Sequence, residues 1–310
     1  MRAFILSVFI VLCFYSGMSP AGDVELKNLR CEYLSDPLGI DVVRPRLSWE
    51  LESDIRGQKQ TAYRVIVSSS SEKLAENAGD LWDTGKLKSD QSVHVVYKGK
   101  KLESRMRCFW KVMAWDKDGA ACGWSEPALW TMGLLSESEW KGQWIGFDAI
   151  PEEAAKMPVR NFRHKKNASP KFKEYLPGQY LRKEFDVKKD VSRASLYVTA
   201  QGHVEMHLNG ERVGDEYFTP GWTDYRKRIY YRTYDVTGML EKGGNAVGAI
   251  LGDGWFRGNI SILGQNRYGK KLRLLSQLRI DYADGSSEVI ASDPTWKASF
   301  GPIVLSDMFE

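Results

Sequence analysis

Two tryptophans stand in glycine-containing stretches beside groups that form hydrogen bonds, Trp222 within residues 220–225 and Trp255 within residues 252–258. A sugar presents C–H groups on its faces and hydroxyls at its rim, so its site needs an aromatic platform with carboxylate or guanidinium partners. The same tryptophans would also suit the ends of a β-sandwich, with the glycines allowing close backbone approach. Both interpretations stay open, and the candidate carbohydrate contacts are Trp222, Asp224, Tyr225, Asp253, Trp255 and Arg257.

A second constellation, His203 and His207, has the i, i+4 spacing that would place two metal ligands on one face of a helix. However, apolar residues alternate with polar ones from His203 to Leu208, which predicts a strand. At about 3.3 Å per residue, the two histidines of a strand are roughly 13 Å apart and do not share one ion. We therefore expect them to be polar residues on a solvated or interface face.

The elements that must position these residues are strands. Short runs rich in β-branched and aromatic residues have a period of two, and Ser71 to Asn77, with Ser71 as the cap, is the one convincing helix. Asp118-Gly119, Asn209-Gly210 and Asp284-Gly285 are two-residue connectors typical of antiparallel hairpins. The sequence thus predicts an all-β chain of antiparallel β-sandwiches, with strand-like runs at 62–67, 92–97, 109–115 and 195–199.

The chain length of 310 residues suits two domains after removal of a leader. Arg2, the apolar run 3–15 and the small residues at 19–21 predict a signal peptide over residues 1–21. That run is too short to span a bilayer, so we expect an exported, periplasmic or extracellular protein without a membrane span. The predicted domains are 24–135 and 140–310, with a proline-containing inserted surface loop at 151–178.

The formal net charge is only +4, and the segment 151–178 contains seven Lys or Arg against three Glu. Nucleic-acid binding needs basic groups arrayed along a folded surface, so no nucleic-acid partner is expected. Outside the leader the cysteines are Cys31, Cys108 and Cys122. Cys108 and Cys122 flank a predicted hairpin, and either a disulfide or a reduced pair is compatible with the sequence.

Nine short motifs give the chain a family resemblance. The first domain contains PLGID at 37–41, PRLSW at 45–49, LWDTGK at 81–86 and GWSEP at 123–127. The second contains LRKEF at 181–185, LNGERVG at 208–214, PGWTDY at 220–225, YDVT at 234–237 and GDGWFRG at 252–258. Over residues 24–310 the chain resembles the N-terminal, non-catalytic portion of bacterial α-L-rhamnosidases of the glycoside hydrolase 78 type.

The resemblance implies a fibronectin type III-like β-sandwich followed by a jelly-roll sandwich like that of carbohydrate-binding modules. The family hydrolyses terminal α-L-rhamnosyl bonds with inversion, using acids on an (α/α)6 helical barrel. This sequence contains no paired amphipathic helices that would form such a barrel, and adjacent Asp215 and Glu216 point to opposite faces of an extended chain. We therefore assign no catalytic residue and expect the chain alone to be inactive, as part of a longer enzyme or as a shortened product.

The resemblance also implies ligands and partners. These are a rhamnose-containing glycan and a C-terminal catalytic domain missing from this chain, whose pocket the loops of Trp222 and Trp255 would help to shape. No cofactor is required, although related modules use calcium to orient rhamnose, and Asp224 and Asp253 are the candidate ligands. The expected function is that of an accessory region that supports the catalytic barrel and contacts sugar. The alternatives are an autonomous carbohydrate-binding module and a purely structural scaffold.

Overall fold

The computed structural model describes residues 24–148 and 177–308. The predicted signal peptide lies outside the described residues, and so does the predicted inserted loop apart from Pro177 and Gly178. The chain divides into two compact units between Met132 and Gly133. In the described part of the chain, no helix has the length and apolar character needed to cross a membrane.

The first unit consists of two antiparallel sheets that enclose an aromatic core. One sheet has the order β1-β2-β6, and the other has the order β4-β3-β7-β8, with β5 added to β3 and β9 to β7. A short helix follows β3, capped by the side chain of Ser70 rather than the predicted Ser71. The elements are β1 (Glu25–Cys31), β2 (Arg46–Glu52), β3 (Ala62–Ser68), α1 (Ser71–Ala75), β4 (Trp82–Asp83), β5 (Leu87–Lys88), β6 (Val95–Val96), β7 (Arg107–Trp115), β8 (Ala121–Trp124) and β9 (Ala128–Thr131).

The core of this unit is built from rings on strands. Trp110 and Trp130 are fully buried and meet edge to face, with 6.4 Å between ring centroids. Trp49 of the other sheet is buried as well and donates its indole N–H to Gln60 Oε1 at 3.0 Å. Such buried rings remove large apolar areas from water and pair favourably, which explains why a sheet of short strands holds together.

The cysteines of the first unit that the structure describes are Cys31, Cys108 and Cys122. Cys108 is a buried free thiol, so its disulfide with the half-buried Cys122, which the sequence allowed, is not formed. Burial raises the pKa of the Cys108 thiol to about 12, which leaves it protonated and unreactive at neutral pH.

The second unit is a sandwich of a five-stranded sheet, β13-β12-β15-β10-β18, and a four-stranded sheet, β14-β11-β16-β17. All strand pairs in both sheets are antiparallel. The strands are β10 (Gln179–Val187), β11 (Val191–Gln201), β12 (His203–Leu208), β13 (Glu211–Arg212), β14 (Arg232–Asp235), β15 (Gly243–Gly252), β16 (Arg273–Tyr282), β17 (Ser287–Ala291) and β18 (Lys297–Phe300). Single helical turns are α2 (Gly254–Arg257) and the 3-10 turns Glu137–Glu139, Thr237–Met239 and Ser261–Leu263.

The period-two pattern places the core of the second unit. In β12 the residues Val204, Met206 and Leu208 are buried, and the residues between them are half-buried, as the alternation predicts. They pack with residues of the four-stranded sheet such as Leu196 and Leu278 in one cluster. The structure is therefore all-β with antiparallel β-sandwiches, which confirms the predicted fold class.

The three predicted turns all join paired strands, although only Asn209-Gly210 is a two-residue connection, since residues 116–120 and 283–286 form the other two. Asp118-Gly119 connects β7 to β8, Asn209-Gly210 connects β12 to β13, and Asp284-Gly285 connects β16 to β17. At Asn209-Gly210 both residues have positive φ, 53° and 89°, as a type I′ turn requires. Of the predicted strand runs, only 92–97 is shortened, to Val95–Val96.

Candidate functional site

Trp222 lies on the long loop between β13 and β14. The loop is fastened to β12, because the backbone of Val204 donates to the Thr219 carbonyl at 3.0 Å and the Thr219 hydroxyl donates to the Val204 carbonyl. Beyond Trp222, the hydroxyl of Tyr225 donates to the Gly221 carbonyl at 3.1 Å. The indole is therefore held on both sides by the loop that presents it.

Trp255 lies in α2, the single helical turn that follows β15. The turn is possible because residue 254 is a glycine with φ +50°, a backbone conformation that other residues rarely adopt. A Cβ at Gly254 would also lie 2.5 Å from the ring of His203. Glycine is thus required at this position both by the backbone and by the histidine packed over it.

The two predicted tryptophans come together as a stacked pair. Their ring centroids are 5.7 Å apart and their planes differ by 6°. The side of Trp255 is covered by His203, edge to face at 4.7 Å, and by Phe218 at 6.0 Å. Trp222 remains 48% exposed, and its indole N–H donates to the Tyr268 hydroxyl at 3.3 Å. We call His203, Phe218, Trp222, Trp255 and Tyr268 the aromatic cluster.

Two of the predicted polar contacts form a buried ion pair instead of facing solvent. Asp253 and Arg257 are 2% and 6% exposed, and Arg257 Nε donates to Asp253 Oδ1 at 2.7 Å. The same oxygen accepts from the Ser306 hydroxyl at 3.1 Å. Burial raises the pKa of Asp253, and the charge of Arg257 opposes that rise. The pair ties α2 to the segment at Ser306, so these side chains support the platform and do not reach a ligand.

Tyr225 is a third predicted contact that lies in the interior. Its ring packs against Phe256 and Tyr268, with centroids 5.3 and 5.1 Å away. Burial raises the pKa of its hydroxyl to about 12. Tyr225 therefore supports the loop under Trp222.

Asp224 is the predicted polar contact that does face solvent. Its carboxylate accepts from Arg226 Nε at 2.9 Å, and this guanidinium lowers the pKa of Asp224. Of the six candidate contacts, the structure thus leaves Trp222, Asp224 and the edge of Trp255 as groups able to touch a ligand at the surface.

The residues present do not fit a calcium site. Asp224 and Asp253 are each held by an arginine, and calcium needs six to eight oxygen ligands in one place. Within residues 24–148 and 177–308, no group of three or more His, Cys, Asp or Glu side chains is arranged to hold a metal ion.

His203 is the member of the aromatic cluster that lies on a strand. Both histidines of β12 are half-buried on the side that the alternation assigns to polar residues; the ring of His207 bonds to Glu205 at 2.9 Å, whereas that of His203 packs against Trp255 and Phe218. The Nε2 atom of His203 is buried and has no hydrogen-bond partner among the described residues. Burial lowers the pKa of His203 to about 4, so the ring is neutral at neutral pH. Strand alternation gives no signal for this burial, because the covering groups come from two loops.

Comparison with known proteins identifies both units. Residues 189–310 match the profile of the α-L-rhamnosidase N-terminal domain. Residues 26–136 match that of the Rha78A-like N-terminal immunoglobulin domain, another β-sandwich type, where the motifs resemble a fibronectin type III module.

Whole proteins agree with the profiles. An α-L-rhamnosidase of Formosa agariphila is 37% identical over 99% of this chain and 32% of its own length, and one of Alteromonas sp. is 40% identical over 89% and 29%. The crystal structure of Streptomyces avermitilis α-L-rhamnosidase complexed with L-rhamnose superimposes with a TM-score of 0.80 at 29% identity, covering 92% of this chain and 42% of that one. The chain thus spans well under half the length of these relatives. Residues 26–136 and 189–310 correspond to N-terminal domains found in α-L-rhamnosidases, and the chain is similar to the N-terminal part of these enzymes over most of its length.

Proposed function

We propose that this chain is the N-terminal, non-catalytic portion of an α-L-rhamnosidase. In this role it supports a catalytic domain outside the chain and contacts the rhamnose-containing glycan. The observation that carries the proposal is the exposed indole of Trp222, which is backed by the parallel ring of Trp255. A rigid ring with one free face suits the C–H face of a sugar. Asp224 beside it supplies a carboxylate for the hydroxyls.

The support beneath the platform favours a preformed site. The loop of Trp222 is bonded to β12, and α2 is held by the Asp253–Arg257 pair. A ring held in this way loses little conformational entropy when a ligand stacks on it. The buried Asp253–Arg257 pair thus contributes to sugar binding by holding the platform in place, without contacting the sugar itself.

Calorimetric titration of the 310-residue chain with L-rhamnose tests the sugar contact. We expect saturable heat that is unchanged by calcium, because the carboxylates present do not form a calcium site. Trp222→Ala should abolish the heat. The matched control is Trp144→Ala, which removes a comparably exposed tryptophan, 42%, of the same unit. Equal loss in both variants, or no heat in the unmodified chain, would overturn the sugar contact.

A purely structural scaffold is the second candidate, and a separate observation favours it. Large aliphatic side chains are exposed after α2, where Ile262 is 96% and Leu263 is 51% exposed, and near the end of the described residues, where Ile303 and Val304 are 40% and 56% exposed. A contiguous patch of exposed apolar groups marks a surface that another protein covers. We expect the catalytic domain of a longer α-L-rhamnosidase to cover them.

Attaching this chain to such a catalytic domain distinguishes the two candidates. If the role is structural, Ile262→Ser with Val304→Ser should lower the melting temperature of the joined protein while leaving that of the isolated chain nearly unchanged. Rhamnoside hydrolysis is expected from the joined protein and not from the chain alone. Measurable hydrolysis by the isolated chain would contradict the non-catalytic role.

We further propose that the protein is exported, on the basis of the leader pattern in residues 1–21. Expression with and without this segment, followed by fractionation and N-terminal sequencing, tests it. Export should require the segment, and the mature N-terminus should lie close to residue 22.

A further inference from the structure

We propose that the exposed cations around Trp222 recognise a carboxylate-bearing glycan, so that the platform binds a polysaccharide containing uronic acids. The inference rests on the proposed sugar contact at Trp222 and adds the chemical class of the ligand. It concerns a group of residues that we call the basic rim, which consists of Arg226, Lys227, Arg228, Arg267 and Lys270.

The basic rim borders the platform on two sides. Arg226, Lys227 and Arg228 follow Trp222 on the same loop, and all are exposed. Arg267 and Lys270 flank Tyr268, whose hydroxyl accepts the Trp222 indole N–H at 3.3 Å, and they are exposed as well. The cations are therefore in the immediate neighbourhood of the ring that would hold the sugar.

Two of the rim arginines are stacked on tyrosine rings. The guanidinium of Arg226 lies over Tyr268, 5.6 Å from its centroid, and that of Arg228 lies over Tyr230 at 5.2 Å. Stacking fixes the plane of a guanidinium, and here Arg226 also donates to Asp224 while Arg228 Nη2 donates to the Tyr230 hydroxyl at 3.2 Å. A planar fork of this kind matches the two oxygens of a carboxylate.

The charge of the rim is largely uncompensated. Asp224 neutralises Arg226, but Lys227, Arg228, Arg267 and Lys270 form no ion pair with any of the described residues. Another acid of the same loop, Glu216, lies against Gly214, where its Oε2 would be 2.8 Å from an added Cβ. Unpaired cations beside an aromatic platform raise the local concentration of anionic ligands and complement their charge.

A neutral sugar gains nothing from these cations, whereas a sugar with an acidic substituent gains charge-assisted hydrogen bonds in addition to stacking. The combination of platform and rim therefore favours acidic over neutral glycans. It also differs from a nucleic-acid groove, because the cations gather around one ring and do not follow a long track.

Affinity electrophoresis of the full chain in gels containing polygalacturonate tests the proposal, with neutral dextran as the reference. We expect retardation by polygalacturonate only, weakened in 0.5 M salt. Lys227→Gln with Arg228→Gln should weaken binding at least tenfold. The control, Arg182→Gln with Lys297→Gln, removes the same charge from β10 and β18 and should bind as the unmodified chain does.

The outcomes separate the rim from the platform. If Trp222→Ala abolishes rhamnose binding while the rim variant binds polygalacturonate normally, the rim proposal fails and the sugar contact stands. Equal weakening in the control would show a general charge effect and overturn the proposal. Dextran sulfate and oligothymidylate are compared with polygalacturonate at equal charge. If the chain binds either of them more tightly than polygalacturonate, the proposal is overturned in favour of sulfate esters or nucleic acid as the ligand.

Discussion

The two units use tryptophan in opposite ways. In the first unit Trp49, Trp110 and Trp130 stand on or beside the strands and are buried in the core. In the second unit Trp222 and Trp255 stand in a loop and a single helical turn, where they stack at the surface. The difference teaches that the position of a tryptophan within its element decides its role. Trp49, Trp110 and Trp130 occupy inward-facing positions of their strands, whereas a loop and a helical turn, both held by other contacts, present Trp222 and Trp255 at the surface.

The largest expected effect separates a core ring from a platform ring. Trp110→Ala should lower the free energy of unfolding by about 3–5 kcal/mol, because it leaves a cavity in a close-packed core. Trp222→Ala should change it by less than about 1 kcal/mol, since the ring is half exposed. Urea unfolding of the two variants, followed by circular dichroism, gives both values. Comparable losses of unfolding free energy would mean that Trp222 fills the interior of the sandwich, and the proposed sugar-binding platform would then lose its support.

The second effect compares the two acids that the sequence could not tell apart. Asp253→Asn should cost about 3–5 kcal/mol, because it leaves the buried Arg257 without its counter-charge. Asp224→Asn breaks a solvent-screened pair with Arg226 and should leave the free energy of unfolding nearly unchanged. The measurement is again the unfolding free energy, taken at pH 7. A small loss for Asp253→Asn would show that α2 is held by other contacts.

These pairs of residues show which features of the fold and the site can be predicted from the sequence. The strands, the three hairpin turns and the positions of Trp222 and Trp255 outside the strands could be predicted, because alternation and turn chemistry are local properties. Which acid is buried could not be predicted, because Asp253 is covered by Ser306, 53 positions along the chain. Similarly, β12 was predicted correctly, but the burial of His203 depends on Phe218 and on Trp255. Long-range contacts of loops carry no periodic signal.

The third effect is a pH dependence that comes from His203. Its pKa is lowered to about 4 in the folded state, against an ordinary value of about 6.5 in the unfolded state. The unfolded chain therefore binds the proton more readily, and the stability contributed by the neutral ring is complete above pH 6.5. It should fall as the pH drops from about 6.5 to 4, by on the order of 2 kcal/mol.

Unfolding curves between pH 4 and 7.5 measure this dependence. His203→Phe should flatten the part of the slope that belongs to the histidine, while His207→Phe, which removes the half-buried ring bonded to Glu205 on the same strand, should retain it. If His203→Phe leaves the slope unchanged, the histidine is solvated in solution and the aromatic cluster is looser than described.

The smallest effect compares two glycines with similar backbones and different neighbours. Gly264 has φ +73° and open space around an added Cβ, so Gly264→Ala should cost about 1 kcal/mol from backbone strain alone. Gly254 has φ +50° and the His203 ring 2.5 Å from an added Cβ, so Gly254→Ala should cost about 1–2 kcal/mol more. The excess measures how firmly His203 is seated under Trp255, because a ring free to move would make room for the methyl group at little cost. Equal losses in urea unfolding would therefore mean that the histidine yields, and the variant would then also lose the pH dependence assigned to His203.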